Sequence, residues 1–308
     1  MTAEEPVNPT LSDYRSLVSL DVPFEPPPPA SPEEIPGLVR KALERLKGER
    51  APWLSRLLPS LSRVPEREAL QAILTVRPAR PGLPPEMHAL LDRVLDAERR
   101  QRPCVEALDL PTVAPARPGA AASAASRLVL WQGDITSLRI DAIVNAANDA
   151  LLGCFQPFHR CIDNAIHAAA GPRLREDCDR IMELQGEREP TGHAKITRAY
   201  HLPSRYVLHT VGPIYGGQSD EPLERDRQAL ASSYRTCLDL AAEIPGLRSL
   251  AFPCISTGVF GFPARAAAEV AVETVVDWLE AHPERFDRVV FNVFLDSDRM
   301  LYQERLLP

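Results

Sequence analysis

The stretch Pro253-Cys-Ile-Ser-Thr-Gly-Val-Phe-Gly-Phe-Pro263 decides the fold class, because it joins a predicted strand to a predicted helix. An apolar run precedes it at residues 249–252, and residues 264–279 follow it with helical periodicity. Its glycines let backbone N–H groups approach an anion, and the helix N-terminus adds a favourable potential. The stretch therefore predicts a phosphate-binding loop. It lacks the lysine of P-loop enzymes and the GxGxxG fingerprint, so ATP hydrolysis and hydride transfer lose support.

Strands and helices alternate on both sides of this loop. Apolar runs of β-type residues predict strands at 128–131, 142–144, 206–211, 249–252 and 289–295. Helical periodicity predicts helices at 162–170, 174–184, 229–242, 264–279 and 297–307. Residues 191–194 are predicted to form a turn. This alternation is typical of an α/β domain with helices on both faces of a parallel or mixed sheet.

The N-terminal part of the chain has a different composition. Of the 31 prolines, 20 fall before residue 119, whereas 12 of the 15 glycines fall at or after it. Apolar stripes at helical spacing predict helices in this part, at residues 11–18, 39–46, 68–76 and 87–95. We therefore predict a helical region at 1–115, a linker at 116–126 and an α/β domain at 127–308.

Charge and composition exclude several classes of protein. A formal net charge of −7 and the absence of a long Lys/Arg block argue against a nucleic-acid partner. The sequence lacks signal-peptide features and any apolar run long enough to span a bilayer, so we expect a cytoplasmic protein without a membrane partner. We also expect a monomer. Six cysteines do not make a disulfide framework in 308 residues, so a tight cluster of them indicates metal binding.

Such a cluster lies at Cys154, His159 and Cys161, with four residues and then one residue between its members. Thiolate and imidazole are ligands that zinc prefers, and three protein ligands leave a coordination position open, as in catalytic sites. Asp163 follows at the start of a predicted helix, where free N–H groups favour anions. A buried loop with two reduced cysteines and a hydrogen-bonded histidine is the alternative, and the pattern alone leaves both open.

Residues 127–308 resemble a macrodomain, an ADP-ribose-binding module with a three-layer α/β/α fold and a mixed central sheet. The matching motifs occur in family order: Gly133-Asp-Ile-Thr136, Asn145-Ala-Ala-Asn148, Asp163-Asn-Ala-Ile-His167, Thr191-Gly-His-Ala194, His209-Thr-Val-Gly-Pro213 and Ser256-Thr-Gly-Val-Phe-Gly261. The loop before Asp163 is not glycine-rich, unlike that of common hydrolase macrodomains. Its cysteines and histidine are similar to those of the zinc-dependent subgroup, which comprises protein-ADP-ribose hydrolases of bacteria and fungi. The helical N-terminal region is similar to that subgroup in character only.

The resemblance implies a role for each matching position. Asp134 and the Ile135 backbone would recognise adenine, which Phe294 or Asn292 would border. The diphosphate would be wrapped by the loop residues Ser256, Thr257, Gly258, Val259 and Phe260. Asn148 would contact the distal ribose, and Asp163 would lie beside its scissile C1″ position, so these two are the implied catalytic residues. Zn²⁺ would be held by Cys154, His159 and Cys161.

The implied function is zinc-dependent hydrolysis that removes mono-ADP-ribose from modified protein side chains. The implied partners are ADP-ribose and mono-ADP-ribosylated proteins. Three alternatives stay open, since fold alone does not decide function. They are a non-catalytic ADP-ribose-binding module, a structural zinc knuckle in an interaction protein, and an O-acyl-ADP-ribose deacylase.

Overall fold

The computed structural model describes residues 8–113, 122–217 and 222–307. The chain divides into two compact units. The first contains Met1–Pro103, Leu151–Gly186 and Arg198–Leu202, and the second contains the remainder. Most of the predicted linker at 116–126 lies outside the described residues.

The helices and strands predicted from the sequence occur in the predicted order, and the structure adds short α-helices and strands at residues 52–57, 105–106, 122–125, 138–139 and 194–198. The α-helices are α1 (Leu11–Tyr14), α2 (Ile35–Lys47), α3 (Pro52–Leu57), α4 (Glu66–Val76), α5 (Pro85–Gln101), α6 (Ala122–Ala125), α7 (Ile162–Ala170), α8 (Pro172–Gln185), α9 (Glu224–Ala242), α10 (Ala264–Ala281) and α11 (Asp296–Leu306). The strands are β1 (Val105–Glu106), β2 (Leu128–Gln132), β3 (Leu138–Arg139), β4 (Ala142–Ala147), β5 (Ala194–Arg198), β6 (Tyr206–Val211), β7 (Ser249–Phe252) and β8 (Arg288–Val293).

The first unit is built from helices whose apolar stripes meet in one core. The stripes of α2, α4 and α5 supply its centre, with Leu46, Ile73 and Leu91 almost fully buried. Helix α7 packs against α4 and α5, and α8 packs against α7. The helices predicted in the N-terminal part of the chain are thus present. Its compact unit also includes residues 151–186 and 198–202, which the sequence-based division assigns to the α/β domain.

The second unit contains a six-stranded sheet in the order β2-β8-β7-β4-β6-β5. Strands β2, β8, β7, β4 and β6 run parallel to their neighbours. At the edge, Gly192 N–H donates to the Val211 carbonyl at 2.8 Å, which joins the residues before β5 to the end of β6. Strands β5 and β6 therefore run antiparallel, and the expected mixed sheet is confirmed. The loops after β2, β4, β7 and β8 consequently leave the same edge of the sheet.

The sequence patterns do not predict β1 and β3, which pair in a separate two-stranded sheet. Strand β5 of the six-stranded sheet is not predicted either. It begins at Ala194, where only a turn was predicted, and its second residue is Lys195. A lysine interrupts the apolar pattern by which a buried strand is predicted. Lys195 is nevertheless only 2% exposed, and its ammonium group donates to both carboxylate oxygens of Glu189, at 2.8 and 2.7 Å. A buried ion pair of this kind satisfies a charge that would otherwise exclude the residue from a core.

Among the described residues, none of the helices has both the length and the apolar character needed to cross a lipid bilayer.

Candidate functional site

The predicted metal ligands lie together in the loop between β4 and α7. The Sγ atoms of Cys154 and Cys161 and a ring nitrogen of His159 all lie within 4.8 Å of one another. All three residues are half-buried, and Cys154 Sγ lies 3.8 Å from His159 Nδ1. Two thiols and one imidazole at this separation fit a single zinc ion, because each supplies a donor atom that zinc prefers. The loop can therefore hold the metal with three protein ligands.

The backbone of this loop adopts an unusual conformation. Leu151, Phe155 and Phe158 have φ angles of 57°, 53° and 64°, and Gly153 has a φ of 87°. Bulky residues rarely adopt positive φ, and each instance costs on the order of 1–3 kcal/mol. Such strain persists where surrounding contacts determine the conformation, and it is concentrated at functional sites. The loop that contains the predicted metal ligands is therefore held in place by its neighbours rather than by local preference.

Asn164 provides one set of these contacts from the first turn of α7. Its Nδ2 donates to the carbonyls of Gln156 at 2.8 Å and His159 at 3.0 Å. Its backbone N–H donates to Cys161 Sγ at 3.4 Å, so this sulfur caps the helix. Burial raises the pKa of Cys161 to about 12, although the Asn164 N–H opposes the rise. A metal ion bound there would supply the positive charge that a buried thiolate needs.

Asp163 also lies in the first turn of α7 and is buried. Its Oδ1 lies 3.5 Å from Nε2 of His167, one helical turn further along. The negative carboxylate is favoured by the positive end of the helix dipole. The structure thus places a buried carboxylate in the same unit as the metal ligands and two residues after the last of them.

In the second unit, Asp134 follows β2 at the carboxyl edge of the sheet. Its Oδ1 accepts hydrogen bonds from Thr136 N–H at 2.9 Å and Thr136 Oγ1 at 2.8 Å. These bonds cap the short 3₁₀ turn Ile135–Ser137 and fix the carboxylate, while the residue remains exposed. Neither Oδ2 of Asp134 nor the Ile135 N–H has a hydrogen-bond partner within residues 8–113, 122–217 and 222–307. Both groups can therefore bind a polar ligand edge.

The loop after β7 has the features of an anion-binding site. Ser256 has a φ of 65°, and the Phe262 N–H donates to its carbonyl at 2.9 Å, which closes the loop. The N–H groups of Gly258, Val259 and Phe260 donate to no acceptor in the described part of the chain. Successive N–H groups of this kind, followed by the N-terminus of α10, favour phosphate oxygens.

Ser256 adds a hydroxyl to the same loop. Its Oγ is buried and has no hydrogen-bond partner among the described residues. A Cβ at Gly212 would lie 2.1 Å from this oxygen, so the position after β6 requires glycine. Thr257 differs, because its Oγ1 donates to the Cys254 carbonyl at 3.1 Å and so stabilises the turn.

The remaining predicted residues also follow strands of this sheet. Asn148 comes directly after β4, and its Oδ1 accepts from Ala150 N–H at 3.0 Å. Phe294 comes directly after β8 and is 72% exposed. Asn292, within β8, is buried and donates from Nδ2 to the Gly133 carbonyl at 2.9 Å. The amide of Asn292 therefore supports the loop after β2, whereas Phe294 offers a ring to a ligand.

Comparison with known proteins identifies the family. The family model described as "Macro domain" matches residues 144–271. A protein-ADP-ribose hydrolase of Staphylococcus aureus (strain MRSA252) is 45% identical over 237 residues, which cover 77% of this chain and 83% of the relative. This chain belongs to the macro domain family.

A second relative and a solved structure are also similar to this chain. A protein-ADP-ribose hydrolase of Treponema medium is 57% identical over 175 residues, which cover 57% of this chain and 65% of the relative. The structure of a Trypanosoma brucei macrodomain in complex with ADP-ribose superimposes with a TM-score of 0.55 at 28% identity, covering 86% of this chain and 95% of that one. The predicted macrodomain fold is thus confirmed.

The macro domain chain contains its predicted site residues in two sets. The first unit contains the proposed metal ligands and Asp163. The second unit contains the residues predicted to bind ADP-ribose, namely Asp134, Ile135, Asn148, residues 256–260 and Phe294. The sequence analysis does not identify two residues whose side chains donate hydrogen bonds to carbonyl groups of the loop between β4 and α7, Asn164 and Arg175. Asn164 lies within a motif that the sequence already offered, but Arg175 has no local signal.

Proposed function

We propose that this macro domain protein is a zinc-dependent hydrolase that removes mono-ADP-ribose from modified protein side chains. The observation that carries the proposal is the cluster of Cys154, His159 and Cys161. Its last member lies two residues before the buried Asp163. An ADP-ribose-binding module without activity needs neither group. The protein-ADP-ribose hydrolase names of the Staphylococcus aureus and Treponema medium relatives support the same reaction.

Recognition of ADP-ribose is assigned to the carboxyl edge of the sheet. Asp134 Oδ2 can accept from the exocyclic amine of adenine, and the Ile135 N–H can donate to a ring nitrogen. The N–H groups of 258–260 and the Ser256 hydroxyl supply donors for the diphosphate. The exposed ring of Phe294 borders the base, and Asn148 binds ribose hydroxyls.

Hydrolysis is assigned to the metal ligands and Asp163. The bond from ribose C1″ to the side-chain oxygen breaks, and the oxygen of water forms a new bond to C1″. One proton of that water goes to Asp163 and is then passed to the leaving oxygen, so Asp163 acts first as a base and then as an acid. The chemistry that bound zinc supplies is polarisation of an oxygen atom and a lower pKa for water.

The fit of the chain to zinc rests on its donor set. Two sulfur atoms and one imidazole nitrogen favour zinc over magnesium or calcium, which take oxygen ligands. Phe155 and Phe158, which lie between Cys154 and His159 in the sequence, have positive φ angles, and the three donor atoms lie within 4.8 Å of one another.

The test uses the purified full chain with a mono-ADP-ribosylated protein as the substrate. Zinc content is measured in the same sample as release of ADP-ribose, and Asp163→Asn serves as the catalytic control. We expect one zinc per chain and release that depends on it. Binding of ADP-ribose without release would instead identify a binding module. Release from O-acyl-ADP-ribose alone would identify a deacylase.

A further inference from the structure

Arg175 of α8 is a buried cation with no role in the proposed binding of ADP-ribose, binding of zinc or transfer of a proton. The residue is 7% exposed. Its Nε donates to the Leu152 carbonyl at 2.7 Å, and its Nη1 donates to the carbonyls of Leu74 and Arg77, both at 2.7 Å. All three acceptors are main-chain oxygens. The guanidinium therefore joins segments of backbone and does not serve as half of a simple ion pair.

One side of this guanidinium contacts the metal-binding loop. Besides the bond to Leu152, it lies 4.7 Å from the centre of the Phe155 ring. A Cβ added to Gly153 would lie 3.1 Å from Nη2, so the loop backbone passes close to the cation. Phe155 is one of the residues with positive φ, and it immediately follows the ligand Cys154. Arg175 thus contacts residues 152, 153 and 155, which flank the first proposed metal ligand, Cys154.

The other side of the guanidinium contacts the N-terminal helices. Leu74 lies in the last turn of α4, and Arg77 is the C-cap of that helix. Carbonyl groups at a helix C-terminus lack intrahelical partners and carry the negative end of the dipole, so a cation there is stabilised. One side chain therefore satisfies the end of α4 and fixes residues 152–155.

The cation remains charged at neutral pH. Burial lowers the pKa of Arg175 to about 10, and the Asp163 carboxylate opposes that shift. Replacement by a shorter or neutral side chain would leave buried carbonyl groups without donors, which is unfavourable. The strained loop would then relax towards conformations that no longer bring its ligands together.

We propose that Arg175 is a positioning residue for the metal-binding loop, and that the N-terminal helices determine through it how tightly the metal is held. The metal part of this inference rests on the proposed zinc-dependent function. The loop part does not, because the contacts of Arg175 are present in the chain itself. Arg175 touches neither substrate nor metal in this assignment.

The variants are Arg175→Lys, Arg175→Met and Phe155→Leu in the full chain. Arg173→Met is the matched control, because Arg173 lies on the same helix and bonds to an N-terminal helix, through Nη2 to Asp92 Oδ2 at 2.8 Å. The measurements are zinc affinity by competition with a chelator, and amide hydrogen exchange of residues 152–155 in metal-free protein. Thermal unfolding shows which variants are folded.

We expect both Arg175 variants to bind zinc roughly 10- to 100-fold more weakly, the range found for residues that orient metal ligands. Exchange at 152–155 should rise, and excess zinc should restore its protection. Phe155→Leu should show the same changes to a smaller degree, and it carries the test if the Arg175 variants do not fold. Arg173→Met should match the wild type in both measurements.

Unchanged exchange and zinc affinity in folded variants would overturn the inference, as would equal changes in Arg173→Met. A wild-type chain that binds no zinc would overturn the proposed function instead. The exchange measurement then decides by itself whether Arg175 holds the loop.

Discussion

The side-chain amide of Asn164 donates to the carbonyl oxygen of His159 at 3.0 Å, so a residue outside the proposed ligand set fixes the backbone of a proposed ligand. The same amide donates to Gln156 at 2.8 Å. Asn164→Leu preserves size but removes both donors. We expect it to lower zinc affinity by about 10- to 100-fold, because the ligand orientation is lost. Chelator competition measures the effect.

The control for this substitution is Gln228→Leu, which removes an exposed amide whose one hydrogen bond among the described residues is to Glu224, also in α9, at 3.0 Å. It should leave zinc affinity unchanged. Equal zinc affinity in Asn164→Leu and wild type would mean that other contacts suffice to hold His159.

The ligand substitutions Cys154→Ser, His159→Ala and Cys161→Ser should each lose zinc and nearly all hydrolysis. Two remaining ligands would hold zinc weakly, and without zinc the pKa of the attacking water would not be lowered. Binding of ADP-ribose should persist, because Asp134 and the loop after β7 are unchanged. Zinc stoichiometry, calorimetry with ADP-ribose and single-turnover release are measured on each variant.

Asp163→Ala separates the carboxylate from the metal ligands. We expect it to retain zinc and lose turnover, since Asp163 is assigned to proton transfer. Loss of zinc in this variant would make Asp163 a fourth ligand, and full activity in a zinc-free ligand variant would refute the metal mechanism.

Asp134→Ala should weaken ADP-ribose binding by about 1.5–3 kcal/mol, the usual contribution of a hydrogen bond to a charged group. Zinc content should not change. Asp287→Ala is a suitable control, because this exposed carboxylate precedes β8 at the opposite edge of the sheet and pairs with Arg248. Calorimetry that gives equal affinities for both variants would show that adenine is recognised elsewhere.

Gly258→Ala tests the phosphate loop with minimal disturbance of the fold. A Cβ at Gly258 meets no atom within 4 Å, so the variant should fold as the wild type does. The methyl group would nevertheless obstruct an anion at the neighbouring N–H groups, and we expect affinity for ADP-ribose to fall by about tenfold, or about 1.4 kcal/mol. Gly37→Ala, in equally open space within α2, should leave affinity unchanged. The idea fails if both variants bind alike.

Stability should depend on pH through Asp92. Burial raises the pKa of Asp92, but hydrogen bonds with His201 and Arg173 outweigh it and hold the pKa below its ordinary value. A depressed folded-state pKa adds stability above the unfolded value of about 3.9, and this stability is lost as pH falls through the folded-state pKa. Asp92→Asn should therefore lower the free energy of unfolding at pH 7, with a difference that shrinks below about pH 4. The measurement is denaturant unfolding of both proteins from pH 7 to below pH 4. A difference in the free energy of unfolding that does not change with pH would contradict this role of Asp92.

Much of the second unit could be predicted from sequence because its elements have regular local patterns. Strand β6 and strand β7 occur at the predicted positions, and α10 begins directly after the predicted phosphate loop. His209 lies within the predicted strand 206–211. It is buried, bonds Thr197 Oγ1 at 3.0 Å, and burial lowers its pKa to about 3, so it stays neutral.

The contacts of the metal-binding loop could not be predicted in the same way. The proposed ligands lie within eight residues of sequence, so their spacing alone predicts the cluster. Arg175 acts on Leu74 and Arg77, about a hundred positions earlier in the chain. Hydrophobic periodicity in the sequence reflects local structure, and it does not indicate a hydrogen bond from a side chain to a carbonyl group far away in the chain. For the same reason, the packing of α7 and α8 with the N-terminal helices emerges only in three dimensions.

The first unit is discontinuous, since residues 151–186 and 198–202 complete what residues 1–103 begin. A ribosome releases the N-terminal helices before it makes α7 and α8. At about 5–20 residues per second, the interval is on the order of ten seconds. During this time the faces of α4 and α5 that later receive α7 have no partner from the same chain. Nascent chains of this protein are therefore expected to need protection from aggregation until residue 202 has emerged.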